Sequence, residues 1–211
     1  MIHNTVGKAL VVTCLLAMLV VGAQAQEQNQ EEVNRLAVQV RDRIMKLSNF
    51  GVFDYITFGL KPGTAGYVVV LQGYAARPSL KKSAERVVRN IELVESVTNE
   101  IEVLPTSPRD EDLRFAVYAK IYYHPSLVRY NPNRGSRAYM PGGWARANSL
   151  GISNDPPQGY HPISILVNRG NVTLEGVVDS EGDKKVAGIQ ANQVSGVFSV
   201  TNNIRVPNSG K

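Results

Sequence analysis

The chain has 211 residues, a formal net charge of +5 and one cysteine, Cys14. Lys8 contributes one of those charges and lies in an N-terminal segment expected to be removed, which leaves +4: a mild bias toward acidic partners such as anionic lipid headgroups, well short of a nucleic-acid footprint. Loss of Cys14 with the same segment leaves no cysteine for disulfides, so the mature chain must be held by burial alone.

A short start carrying Lys8 is followed by an apolar run from Ala9 to Val21 and then Gly22-Ala23-Gln24-Ala25, the order of a positive n-region, an h-region and an A-x-A cleavage site. The run is shorter than the roughly 20 residues needed to span a bilayer core. Residues 1–25 are therefore predicted to be a signal peptide cut after Ala25, which sends the chain to the periplasm or another extracytoplasmic part of the envelope. Val12-Thr13 fits poorly the small-residue box that precedes a lipid-modified cysteine, so Cys14 reads as part of the h-region.

Val33, Leu36, Val40, Ile44 and Leu47 recur at three- and four-residue spacing and predict an amphipathic helix over Glu31–Leu47. Two strands rich in β-branched and aromatic residues follow, Phe53–Leu60 and Tyr67–Tyr74, joined by a turn cluster at 61–66. Pro78 opens a second helix whose buried side is Ala84, Val87, Val88, Ile91 and Val94, and Val97–Val103 closes the unit as a strand. Pro105 and Pro108 mark a stiff linker. A helix from about Asp110 carries Leu113, Val117 and Ile121, with Asp110, Glu111 and Asp112 at the positive end of its dipole, and Pro125 stops it. Strands at Ile163–Val167 and Val172–Val178 form a tight hairpin through Asn168-Arg169-Gly170-Asn171. Ser180 caps the next helix, with Asp183 in the place of a capping-box acid, and Phe198–Val206 is the last strand.

The same order thus occurs twice, and the residues repeat with it. A shift of 103 residues lays Val69–Val103 over Val172–Val206 without a gap. Val69-x-Leu71-x-Gly73 falls on Val172-x-Leu174-x-Gly176, Lys81-Lys82-x-Ala84 on Lys184-Lys185-x-Ala187, and Val97-Thr98-Asn99-x-Ile101-x-Val103 on Val200-Thr201-Asn202-x-Ile204-x-Val206. The predicted fold class is α+β: two tandem αββαβ two-layer sandwich modules, at 31–104 and 110–207, joined by a linker at 105–109.

The V-x-L-x-G strand, the K-K-x-A helix and the closing G-V-x-x-V-x-N-x-I-x-V resemble the BON domain, named for bacterial osmotic-shock and nodulation proteins. The second unit carries the fuller match, Gly196-Val197 included; in the first, Val94 or Glu95 stands in the turn where the Gly-Val pair is usual. The resemblance implies an exported module without catalytic residues that binds phospholipid surfaces or other envelope components, and tandem copies behind a signal peptide are similar to the osmotic-shock periplasmic type.

The main departure is a long insertion at about 125–160 in the second unit. Its Arg129, Arg134, Arg137 and Arg146 meet no acidic residue before Asp155 and alternate with Tyr130, Tyr139, Trp144 and Tyr160. Arginine beside Trp and Tyr suits an interface, where the cation pairs with phosphate and the ring lies at headgroup depth. Arg129, Arg134, Arg137, Tyr139, Trp144 and Arg146 are the candidate lipid- or partner-binding residues; the plainer alternative is a loop whose aromatics fold back on the domain. His124 and His161 flank the insertion, but no Cys or acid stands at ligand spacing, so no metal is expected. Neither a cofactor nor catalysis is expected, because the nucleophile, zinc and phosphate-loop motifs are missing. The reading is therefore a non-catalytic envelope protein that binds anionic phospholipid. Alternatives are an assembly adaptor for an envelope protein and, third, a peptidoglycan or glycan binder that stacks Trp144 and tyrosines on sugar rings.

Overall fold

The computed structural model describes residues 28–133, 157 and 159–207. The predicted signal peptide and, within the insertion, Arg134, Arg137, Tyr139, Trp144 and Arg146 lie outside the described residues. Residues 28–45 form helix α1, with Leu36, Val40 and Ile44 buried in the stripe that their spacing predicts. The chain divides after Arg41, and the body Asp42–Lys211 carries both sheets.

The first sheet is built from β1 (Tyr55–Pro62), β2 (Tyr67–Ala75), β3 (Val94–Asn99) and β4 (Glu102–Val103), with helix α2 (Pro78–Arg89) packed on it. β1 pairs antiparallel with β2 from Tyr55↔Tyr74 to Pro62↔Tyr67, while β3 and β4 both pair parallel to β2. The second sheet repeats the plan with β5 (Ile163–Asn168), β6 (Asn171–Gly176) and β7 (Ser199–Asn202), in the order β5-β6-β7. Helices α3 (Pro108–Tyr122) and α4 (Glu181–Asn192) pack on it and on each other. The chain is thus α+β, two modules of one design.

The repeated residues turn out to be the fold's fasteners. Gly73 (φ 113°) and Gly176 (φ 135°) lie where a Cβ would come within 2.1 Å of the Tyr55 carbonyl oxygen and 2.0 Å of that of Pro162, so the hairpin closes only over glycine. Asn99 Nδ2 donates to the Lys81 carbonyl (2.9 Å) and Asn202 Nδ2 to that of Lys184 (2.7 Å). Their Oδ1 atoms accept from the amides of Ile101 and Ile204. These side-chain bonds tie the last strand to the start of the helix and interrupt it. The predicted strand over 97–103 is accordingly two, β3 and β4, and that over 198–206 shrinks to β7 plus a bridge between Val177 and Arg205.

Two local assignments are corrected. In the first module the glycine position is taken by Leu93, not by Val94 or Glu95: Leu93 has φ 71° where Gly196 has 94°, so the turn is kept at the expense of a strained leucine. Helix α3 starts at Pro108 rather than Asp110, because the Ser107 side chain caps it by accepting from the Asp110 amide (3.4 Å).

The two modules are joined by more than the chain. The segment before β1 runs along the edge of the second sheet: the Ile165 amide donates to the Val52 carbonyl (2.8 Å) and the Val52 amide to that of Pro157 (3.1 Å). Val52 and Phe53 enter the second module's core beside Ile163, Ile165, Val172 and Leu174, and Phe53 meets Phe115 edge-on at 5.2 Å. β5 is consequently buried on both faces, with Leu166 turned away from that core toward Tyr74 and Leu104 of the first module.

Candidate functional site

The described residues on either side of the insertion form its root in the second module. After α3 the chain makes a short 3-10 turn, Val128–Tyr130, with Leu127 fully buried beneath it. Asn131 is buried: its Oδ1 accepts from the Tyr118 hydroxyl (3.3 Å) and the Asn133 amide (2.7 Å), and its Nδ2 donates to the Tyr122 carbonyl (3.1 Å). The returning end is held by His161. Its Nδ1 meets the Gly159 carbonyl at 2.9 Å and therefore carries the proton, leaving Nε2 to accept from Asn133 Nδ2 at 3.1 Å. A neutral ring suits the place, since burial lowers its pKa to about 4. Tyr118 and Tyr122 stack on each other at 4.8 Å and meet His161 edge-on. The Tyr122 hydroxyl also donates to the Ile163 carbonyl (2.6 Å) and accepts from the Ile163 amide (3.0 Å), which fixes where β5 begins. The Asn133–His161 bond thus ties both ends of the insertion together.

Arg129, the one candidate contact residue within the described part, belongs to this root. Its guanidinium lies 4.7 Å over the Tyr130 ring and bonds Asp179, Asp183 and the carbonyl of Ser126. Asp183 is almost fully buried and also accepts from Ser180 and Tyr130. Ser180 caps α4 as the sequence predicts, but the acid beside it serves the insertion as well as the helix. Arg129 is nearly half exposed. His124 makes only a local turn, its Nδ1 accepting from the Ser126 amide. Among the described residues no group of three His, Cys, Asp or Glu is placed to hold a metal, and no helix is long and apolar enough to cross a membrane.

A second constellation, which the sequence did not single out, lies at the β5–β6 turn. Asn168 pairs with Asn171, so the turn is the two residues Arg169 (φ 51°) and Gly170 (φ 80°). Positive φ at both central positions is the type I′ pattern that matches strand twist. Asp110 holds it: the buried carboxylate accepts from the Arg169 and Gly170 amides, each at 2.8 Å. An acid at a helix start passes for a dipole effect in sequence; here its two oxygens clamp a turn 60 residues away. Phe198 closes over Gly170, its amide donating to the Gly170 carbonyl (2.9 Å), while Arg109 stacks on its ring at 5.0 Å. Beside the turn a cavity of about 320 Å³ separates the modules, lined by Tyr74, Leu104, Leu166, Asn168, Arg169 and Thr173.

The first module does the same job differently. Glu95 occupies the position of Phe198, and its carboxylate accepts from the Thr64 hydroxyl (3.1 Å) and Ala65 amide (3.0 Å) of the β1–β2 turn. Those bonds hold its pKa below the usual carboxylate value.

Comparison with known proteins agrees with the repeat. The BON domain family matches at residues 64–105 and 151–208. No curated protein matches in sequence. Among solved structures, the C-terminal domain of CdsD, titled the structural protein of the type III secretion system of Chlamydia trachomatis, aligns over 80% of this chain and 95% of its own, at 11% identity and TM-score 0.25. A second CdsD structure from the same organism aligns over 81% and 91%, at 13% identity and TM-score 0.27. TM-scores this low establish no common arrangement. The two matched segments each span one copy of the repeated strand–helix–strand unit, so the chain carries two BON-domain matches in tandem.

Proposed function

We propose that the chain is a non-catalytic, exported envelope protein of the osmotic-shock type whose BON modules bind anionic phospholipid, with the insertion as a contact. BON domains are generally non-catalytic and occur in periplasmic and envelope proteins. The observation that carries the reading is the root of the insertion: a long segment rich in arginine and tyrosine joins the module at the buried bonds Asn131–Tyr118 and Asn131–Tyr122 and the partly buried bond Asn133–His161. Loops of this length inside compact domains are commonly functional. On this reading Arg134, Arg137 and Arg146 pair with phosphate, Tyr139 and Trp144 lie at headgroup depth, and Arg129 anchors the loop while offering its exposed edge. Trp144, the sole tryptophan, reports the contact directly. Its emission should shift to the blue and gain intensity with phosphatidylglycerol vesicles. Unchanged emission would remove the insertion from the contact.

A second reading, an adaptor that docks an envelope protein, is favoured by one feature: β7 is the edge of its sheet among the described residues, and an edge strand can accept an added strand. A pull-down from envelope extract that returns one protein without lipid would support it over phospholipid binding.

A further inference from the structure

Phe198 is 68% exposed, the most exposed large apolar side chain among the described residues. Its amide is held by the Gly170 carbonyl, Arg109 stacks on its ring and Arg169 precedes Gly170 in the turn; both arginines are exposed and neither has an acidic partner among the described residues. A non-glycine residue in the left-handed region is costly, and such strain gathers at working sites. Here it puts the Arg169 side chain on the tip of a turn whose backbone Asp110 fixes. The matching end of the first module has Glu95 in place of Phe198, with its carboxylate turned onto its own loop. The duplication has therefore produced one acidic, self-satisfied end and one with an exposed aromatic, an arginine stacked on it and a second arginine in the adjoining turn, neither cation with an acidic partner among the described residues.

We propose that the β5–β6 turn of the second module, through Phe198, Arg109 and Arg169, is a docking point for an anionic phospholipid surface. Phe198 enters the headgroup region and the two guanidinium groups pair with lipid phosphates. An aromatic ring takes the interfacial layer and arginine takes phosphate in bidentate fashion, which is the complementarity these three side chains offer. The clamped turn fixes the backbone from which Arg169 projects, so there it is the side chain and not the backbone that is left to order on binding. This site rests on the phospholipid reading above and is separate from the insertion.

The test is co-sedimentation of the full chain with phosphatidylglycerol–phosphatidylcholine vesicles and with phosphatidylcholine alone, for the wild type and the variants Phe198→Ser, Arg109→Ser and Arg169→Gly. Each arginine variant should weaken binding to the anionic vesicles about fivefold, since one basic residue near such a surface contributes on the order of a factor of five. Phe198→Ser should cost about tenfold. Arg169→Gly is the informative variant: glycine relieves the turn, so it should raise the urea midpoint while lowering binding, a split that a structural role alone would not produce. Variants that bind like a binding wild type would overturn the turn as the contact and leave the phospholipid reading standing. A wild type that ignores anionic vesicles would overturn both.

Discussion

Replacing Asp110 by alanine removes the side chain that accepts from both central amides of the β5–β6 turn. Two bonds of 2.8 Å to a carboxylate are lost, and hydrogen bonds to a charged group contribute roughly 1.5–3 kcal/mol each. The Gly170 amide is buried and gains no water in exchange, whereas the Arg169 amide is only partly buried and recovers some of its loss. Arg169 would remain at φ 51°, a conformation that costs roughly 1–2 kcal/mol and that would then lack the two bonds to Asp110. The expected loss is about 3 kcal/mol, which at a urea slope of about 2 kcal/mol per molar moves the unfolding midpoint down by about 1.5 M. Asp110→Asn should lose about half as much, because one amide keeps an oxygen to bond and the other faces an NH2 group. Circular dichroism in urea measures both. A midpoint for Asp110→Ala within about 0.3 M of the wild type would show that the turn stands without its clamp, and with it the reasoning that Arg169 is presented on a fixed scaffold would fail.

At the matched turns, Leu93→Gly should be neutral or stabilising by up to about 1 kcal/mol, whereas Gly196→Ala should cost about 1 kcal/mol or more; thermal melts of the pair decide whether Leu93 is strained. Phe53→Ala should cost about 3–5 kcal/mol and leave one cooperative transition, since the ring lies in the second core although the following strand is in the first sheet. Two separate transitions would contradict a shared core. Two buried groups should make stability respond to pH in opposite directions. Burial raises Asp54 to about 6 although the Ala76 and Gly51 amides bond it, so its share of stability is full at low pH and falls as pH rises through about 6. His161, lowered to about 4, contributes stability above about 6.5 that is lost as pH falls toward 4. Each shift is worth about 3 kcal/mol, so they nearly cancel in the wild type. Against the wild type, His161→Phe should gain stability between pH 6.5 and 4.5 and Asp54→Asn should lose it; parallel profiles would refute the assignment.

The sequence spoke clearly where the fold uses local rules. Spacing in α1, Pro78 at the start of α2, Ser180 at the start of α4 and the V-x-L-x-G and T-N-x-I repeats all point to what the structure contains, because a period, a cap or a glycine in a tight approach leaves its mark within a few residues. It was silent where a role depends on distant partners. Asp110 passes for one of three acids at a helix start until the turn at 169–170 is seen beside it. Phe198 passes for the first apolar residue of a strand, and only the fold shows that its ring lies outside. Phe53 reads in sequence as the opening of the first strand, yet it and Val52 belong to the other module's core. Arg129 read as one more cation of the insertion, and the structure shows it bonded to Asp179 and Asp183. Alignment alone could have raised one signal, the Phe198 and Glu95 pair at a shift of 103 residues, since an aromatic and an acid at equivalent surface points mark where two copies have parted.

The function proposed for this chain is binding of anionic phospholipid through its second module. Co-sedimentation of the full chain with phosphatidylglycerol vesicles, phosphatidylcholine vesicles and purified cell wall in parallel, at low and at high salt, tests it most directly. Pelleting is expected with the anionic vesicles alone, weakened strongly by salt because exposed charges are screened within about 8 Å at physiological ionic strength. Pelleting with cell wall, or equal pelleting with both vesicle types at either salt concentration, would contradict it.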